Sequence, residues 1–220
     1  MKIGVLGTGN VGQTIGSKMI ELGHQVMMGS RSLDNEKARI FKEKHGSKTE
    51  IGTFETCSLF GEILFNCTSG MGSLNALQLA GEKALNGKIL IDLANPLDSS
   101  NGMPPVLQPV NTDSLGESIQ RAFPNTKVVK ALNTIWCGIM VNPGLINGGD
   151  HSTFICGNDA DAKHKVKALL MQIGWMENNI IDLGDIGQAR GTEMYLPLWL
   201  RLYGHVKNPA FNIKLVTNSN

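Results

Sequence analysis

The chain has 220 residues, 41% of them hydrophobic, enough to bury a core without covalent staples in one large domain or two small ones. Twenty Lys and Arg against nineteen Asp and Glu leave a net charge of +1, which excludes a global field for nucleic acid or anionic lipid. Any anion site must be local. Four scattered cysteines (Cys57, Cys67, Cys137, Cys156) and five histidines without ligand spacing argue against a disulfide framework and a metal site, so reduced thiols in a cytoplasmic setting are expected.

Lys2 to Leu6 is a short apolar run broken at Gly7, too short for a signal peptide, and no stretch approaches the roughly 18–20 apolar residues of a membrane span. From Val11 the apolar residues Ile15, Met19 and Leu22 recur at helical spacing up to Gly23. Gln25 to Met28 is a second strand, and Asp34 to His45 a polar helix with Asp34 as its N-cap. Glu62 to Cys67 and Lys88 to Leu93 are apolar without alternation, as in a parallel sheet covered on both faces, with a helix from Ser73 to Leu85 between them. Residues 98–113 are polar, contain Gly102-Met103-Pro104-Pro105, and are too long for an ordinary connection; a lid or a mobile insertion is expected.

Ser114 to Phe123 reads as a helix, Lys127 to Leu132 and Thr153 to Cys156 as strands, Asp159 to Ile173 as a helix and Ile180 to Leu183 as a last strand. Gln188 to Tyr203 is a helix apolar nearly all round, kinked at Pro197, which belongs either in the core or under a second subunit. The expected fold is α/β: a Rossmann, doubly wound, mainly parallel sheet over 1–150, with a small C-terminal strand and helix extension over 151–220 packed on it.

Gly7-Thr8-Gly9-Asn10-Val11-Gly12 is a G-x-G-x-x-G between a strand and a helix, the context that turns a weak motif into a dinucleotide site. Gly7 permits the tight turn, Gly9 the approach of the pyrophosphate, and Gly12 the contact of helix with strand, while the helix N-terminus offers free N–H groups. At the end of the second strand, where NAD sites carry a carboxylate, stand Gly29-Ser30-Arg31. Arg31, with Ser30 and Lys37, suits a 2′-phosphate, so NADP(H) is the expected cofactor. The competing reading makes Arg31 a solvated turn residue and turns Asp34 inward to the ribose.

Ligands of such sheets sit beyond the carboxyl ends of the strands. Thr68-Ser69-Gly70, Asn95-Pro96 and Asn133-Thr134-Ile135 occupy three such ends and should line the nicotinamide half, although each could be a plain turn or cap residue. No general acid stands among them, which favours hydride exchange with a flavin-like ring over reduction of a carbonyl or imine. Pro96, Asn133 and Ile135 are then positioning groups. Tyr203-x-x-x-Lys207 imitates the Tyr/Lys pair of short-chain dehydrogenases, but lies after the last helix rather than mid-sheet.

MKIGVLGTGNVGQTIGSKMIELGHQVMMGSR, DLANPLD, KVVKALNTI, FICGNDADAK, ARGTEMYLPLWLRL and NPAFNIKLV together resemble the NADP oxidoreductases dependent on the deazaflavin coenzyme F420, whose fold also forms the cytosolic domain of the Steap metalloreductases. The resemblance implies NADPH on Gly7, Gly9 and Gly12, with Ser30, Arg31 and Lys37 around the 2′-phosphate. It also implies a flavin or F420 ring stacked between Pro96, the segment 133–135 and the C-terminal part, and a homodimer. Asn133 stands where the deazaflavin-using members lead one to expect a histidine. Two alternatives stay open: a small imine or carbonyl reductase, and a non-catalytic NADP-sensing module.

Overall fold

Strands and helices alternate through most of the structure, a computed structural model that describes residues 1–218. The first half runs β1 (Lys2–Leu6), α1 (Asn10–Glu21), β2 (Gln25–Ser30), α2 (Glu36–His45), β3 (Thr49–Thr53), α3 (Phe54–Phe60), β4 (Ile63–Asn66), α4 (Gly70–Ala80), α5 (Glu82–Leu85) and β5 (Ile89–Asp92). A two-stranded ribbon, β6 (Leu97–Asp98) with β7 (Val106–Leu107), leads to α6 (Leu115–Ala122) and β8 (Lys127–Ala131). Then follow α7 (Cys137–Met140), β9 (Thr153–Cys156), α8 (Ala160–Ile173), β10 (Ile180–Asp182), α9 (Ala189–Met194) and α10 (Leu196–Val206).

Eight strands form one sheet in the order β10-β9-β8-β5-β4-β1-β2-β3, parallel throughout except where β9 runs against β8. The chain winds outward from β1 to β3, returns, and winds the other way from β4, so the switch point of this Rossmann fold lies between β1 and β4. The apolar strand runs are buried on both faces because successive side chains point to opposite sides. Ile3, Val5, Phe65, Ile91 and Val129 share one cluster with Ile15 and Met19 of α1 and Val166 and Leu170 of α8. Leu6, Leu64, Leu90 and Val128 share the other with Cys57 of α3, Leu77 of α4 and Ile119 of α6.

Several sequence expectations need correction. The second helix begins at Glu36 and is capped by Asn35, whose side chain accepts from the Ala38 amide at 3.0 Å; Asp34 instead pairs with Arg39 at 3.0 Å. Sequence reading missed β3 and α3 because TEIGT is a short edge strand without an apolar run. Residues 98–113 do not hang free: they contain the ribbon, in which Leu97 opposes Leu107 and Asp98 opposes Val106.

The expected final helix is two. Pro197 sits at the start of α10, where its missing N–H costs nothing, and the chain breaks at Tyr195. The second helix is not a core element: Leu196 is its single buried residue, while Leu198, Tyr203 and Val206 are about half exposed. From 151 onward the chain supplies both the outer strands β9 and β10 and this helical cover. Among the described residues no helix is long and apolar enough to cross a membrane.

Candidate dinucleotide site and adjoining crevice

The β1–α1 turn is built by its glycines. Gly7 has φ +113°, and a Cβ there would lie 2.7 Å from the Cys67 carbonyl oxygen, so both conformation and space demand glycine. A Cβ on Gly12 would overlap the Gly7 carbonyl oxygen, whereas one on Gly9 would meet nothing within 4 Å. Folding therefore requires Gly7 and Gly12, and leaves the open face at Gly9 for something from outside.

That face carries free donors. Gly9 caps α1 without any side-chain bond, no acidic residue stands in the first turn, and Gln13 closes the loop by donating to the Thr8 carbonyl at 3.1 Å. The leading amides of α1 thus lack internal partners and point, with the positive end of the helix dipole, at the space a pyrophosphate would fill. Thr8, Asn10 and Val11 all belong to this turn.

At the end of β2, Arg31 is exposed, and Lys37 is exposed in the first turn of α2. Ser30 is buried and donates its hydroxyl to the Ser32 carbonyl, so it shapes the turn and is no open donor. Asp34, which the competing reading turns inward to the ribose, pairs with Arg39 and is 82% exposed at its side chain.

Across the switch point, Thr68, Ser69 and Asn95 line a cleft of about 230 Å³ together with Val11, Cys67 and Leu97. Asn133 is buried next to it: Asn95 donates to its carbonyl at 2.7 Å and accepts from its side chain at 2.9 Å. Gly70, the first residue of α4, packs so closely on Asn95 that a Cβ would overlap that residue's carbonyl oxygen. Pro96 is buried and its carbonyl accepts from the Gln108 amide at 2.9 Å, which moors the ribbon to the cleft. Ile135 is 5% exposed and packs in the core behind the cleft rather than lining it.

Beneath the cleft lies a polar row that sequence reading missed. Asn66, Asp92 and Lys130 are neighbours in register across β4, β5 and β8, on one face of the sheet, and all are buried. Thr68 donates to Asn66 Oδ1 at 2.6 Å, Asn66 donates to Asp92 at 2.8 Å, and Lys130 Nζ reaches Asp92 at 2.8 Å and the Ala94 carbonyl at 2.5 Å. From the C-terminal side Glu193 closes the row, 2.8 Å from Lys130, and accepts from the Leu115 and Gly116 amides at the start of α6.

Burial opposes the Lys130 charge, but the carboxylates of Asp92 and Glu193 outweigh it and hold its pKa above the ordinary lysine value. The visible signal was a charge inside each of two buried strands, KILIDL and KVVKAL, which cannot be left unpaired. Burial first, then the Asp92 carboxylate, pushes the Cys67 thiol up from its ordinary range, which favours the protonated form. Among the described residues no group of His, Cys, Asp or Glu forms a metal site.

Residues 2–96 match a family described as NADP oxidoreductase, coenzyme F420-dependent. The F420-dependent NADP reductase of Methanocaldococcus jannaschii is 26% identical over 224 residues, covering 98% of each chain. Metalloreductase STEAP3 of Rattus norvegicus is 28% identical over 90% of this chain, which spans 38% of that protein's length. A crystal structure from Arthrobacter sp. FB24, provisionally assigned as an F420-dependent NADP reductase, is 47% identical with a TM-score of 0.93, covering 99% of this chain and all of that one. An Aspergillus terreus reductive aminase in complex with NADPH shares the fold alone: 14% identity and TM-score 0.66, over 94% of this chain and 62% of that one.

Proposed function

Because this chain belongs to the family of coenzyme F420-dependent NADP oxidoreductases, we propose that it passes hydride between NADP(H) on the Gly7–Gly12 turn and a flavin- or deazaflavin-type ring. The observation that carries this reading is the open face at Gly9 over the free amides of α1, continued on one side by Arg31 and on the other by the cleft of Thr68, Ser69 and Asn95. NADP(H) supplies the hydride, two electrons and one proton carried together, and an acceptor ring that takes it up is reduced by two electrons.

The residues divide the work. Gly7, Thr8, Gly9, Asn10, Val11 and Gly12 hold the pyrophosphate by backbone donors, while Arg31 and Lys37 pair with the 2′-phosphate and Ser30 fixes the turn that presents them. Thr68, Ser69 and Asn95 bound the nicotinamide, and Pro96 and Asn133 set the plane of the opposing ring, with Ile135 backing them from the core. Hydride transfer between two stacked rings asks mainly for alignment and exclusion of water, which fits a cleft whose polar groups are tied to each other. The described part of the C-terminal region, 151–218, adds β9 and β10 to the sheet edge, and its helices would close the acceptor side. The exposed apolar face of α10 suits the two-fold contact of a cytoplasmic homodimer.

Anaerobic oxidation of NADPH with a panel of F420, FMN, FAD, quinones, imines and small carbonyl compounds tests the proposal. Turnover with a flavin- or deazaflavin-type acceptor is expected. Turnover confined to imines or carbonyls would make the protein a substrate reductase, and tight NADPH binding without any turnover a sensing module; either would overturn it.

A further inference from the structure

The buried row beneath the cleft fixes the direction of its own hydrogen bonds. The Lys130 ammonium has three protons, and the Asp92 and Glu193 carboxylates and the Ala94 carbonyl surround it, so it donates to all three. The Asp92 carboxylate only accepts: from Lys130 on one oxygen, and from Asn66 at 2.8 Å and the Ala94 amide at 3.2 Å on the other. Asn66 must therefore turn its NH2 group to Asp92, and the same group reaches the Ser73 hydroxyl at 3.1 Å. Its carbonyl oxygen is left facing Thr68, where it takes the amide at 3.3 Å and the hydroxyl at 2.6 Å.

The single proton of the Thr68 hydroxyl thus points inward to Asn66. Ser73, 2.8 Å from that hydroxyl, accepts from Asn66 and donates either to Thr68 or to the Ser69 carbonyl at 3.2 Å. All that remains on the Thr68 oxygen is capacity to accept. Thr68 is half-buried and lines the cleft, whereas the side chain of its neighbour there, Asn95, is tied to Asn133. Lys130 holds this sense from the far end of the row, because turning Asn66 over would set its oxygen against the Asp92 carboxylate and its NH2 against the Thr68 amide.

The carboxamide of a nicotinamide has a donor, its NH2, at one corner and an acceptor, its carbonyl oxygen, at the other. A neighbour that can only accept attracts the first and repels the second. We propose that Thr68 Oγ1 accepts a hydrogen bond from the nicotinamide carboxamide, and that Asn66, Asp92 and Lys130 are positioning residues that keep the Thr68 hydroxyl in this accepting sense. The inference rests on the reading above that places the nicotinamide in this cleft, and holds for any hydride acceptor.

The 3-acetylpyridine analogue of NADPH carries a methyl group in place of the carboxamide NH2, and adenosine 2′,5′-bisphosphate lacks the nicotinamide half altogether. Calorimetric titration with these two and NADPH reads the proposal as a ratio of affinities. The wild type should bind the analogue about tenfold more weakly than NADPH, the effect of one lost hydrogen bond. Thr68→Val should bring that ratio to about one and leave the Kd of the bisphosphate unchanged, while Thr68→Ser should keep the wild-type ratio. Asp92→Asn keeps an oxygen on Lys130 and turns its new NH2 to Asn66, which then turns over and releases the Thr68 proton toward the cleft, so here too the ratio should fall to about one. Where Asp92→Asn does not fold, the two Thr68 variants carry the test. A role in packing alone would weaken NADPH and its analogue together and keep the ratio. An unchanged ratio in Thr68→Val or in folded Asp92→Asn, or a wild type that binds NADPH and the analogue equally, would overturn the inference alone. A wild type that binds none of the three ligands would overturn the reading of function and the inference with it.

Discussion

Replacing Lys130 by Met keeps the length of the side chain and removes the only cation of a fully buried row. In the wild type Nζ lies 2.8 Å from Asp92, 2.8 Å from Glu193 and 2.5 Å from the Ala94 carbonyl, all out of contact with water. Removing it leaves two buried carboxylates facing each other across the space it held, the situation in which breaking a buried ion pair costs about 3–5 kcal/mol. For a chain of this size about 2–4 °C of Tm accompanies each kcal/mol, so a fall of roughly 6–20 °C is expected.

Urea unfolding followed by circular dichroism, with ΔG and the m-value fitted together, measures the effect directly. The companion double variant Lys130→Met, Glu193→Gln removes one of the stranded charges and keeps one oxygen for the Leu115 or the Gly116 amide, so it should regain about 1 kcal/mol over the single variant. A single variant within about 0.5 kcal/mol of wild type, the range of ordinary surface substitutions, would refute the argument that this lysine holds the row together.

The two inner glycines of the turn should separate folding from binding. Gly9→Ala places its Cβ in open space and should leave Tm unchanged, while weakening NADPH about tenfold or more by standing where the pyrophosphate approaches; Gly12→Ala should lower Tm as well, because its Cβ overlaps the Gly7 carbonyl. Calorimetric titration and thermal melts on both variants check this, and equal effects on Tm would contradict it. Arg31→Ala should reduce the ratio of NADPH to NADH affinity by about tenfold or more, the worth of a charge-assisted bond to phosphate, with NADH binding unaltered; an unchanged ratio would remove the 2′-phosphate assignment.

Acid should loosen the C-terminal region. Hydrogen bonds from Arg190 hold the Glu117 carboxyl below its ordinary value of 4.5, so the stability from this link between α6 and α9 is present above 4.5 and lost as pH falls through the depressed folded value. Glu117→Gln should flatten the acid limb of a Tm-against-pH curve over that interval. An unaltered limb would contradict the assignment.

Where local chemistry decides the structure, the sequence was legible. The strand at Lys2, the glycine turn, the continuous apolar runs of β4 and β5 and the helix starts at Ser114 and Asp159 all read directly, because each depends on residues within a few positions of one another. What escaped depends on distant partners. The edge strand TEIGT has no apolar face of its own and exists because β2 lends it a ladder. The antiparallel entry of β9 leaves no mark in TFIC, since TFIC gives no sign of which neighbour it will pair with or in which direction.

The site divides the same way. Gly7, Gly9, Gly12 and Arg31 were readable as a motif with its flanking strand, and the structure sets Thr68, Ser69 and Asn95 around one cleft. Ser30 read as a donor but turns inward to Ser32, and Ile135 lies behind the crevice, since neither orientation is encoded in nearest neighbours. The pair Asn95–Asn133 lies 38 positions apart, and the links Asn66–Asp92, Asp92–Lys130 and Lys130–Glu193 span 26, 38 and 63 positions, beyond any local pattern.

Isothermal titration of the purified, ligand-free protein with NADPH and, separately, with NADH tests the central claim most directly. The predicted result is a single saturable site for NADPH, with NADH bound at least about tenfold more weakly, matching the loss of one charge-assisted phosphate contact. Absence of heat and of competition with either nucleotide, or tighter binding of NADH than of NADPH, would contradict it.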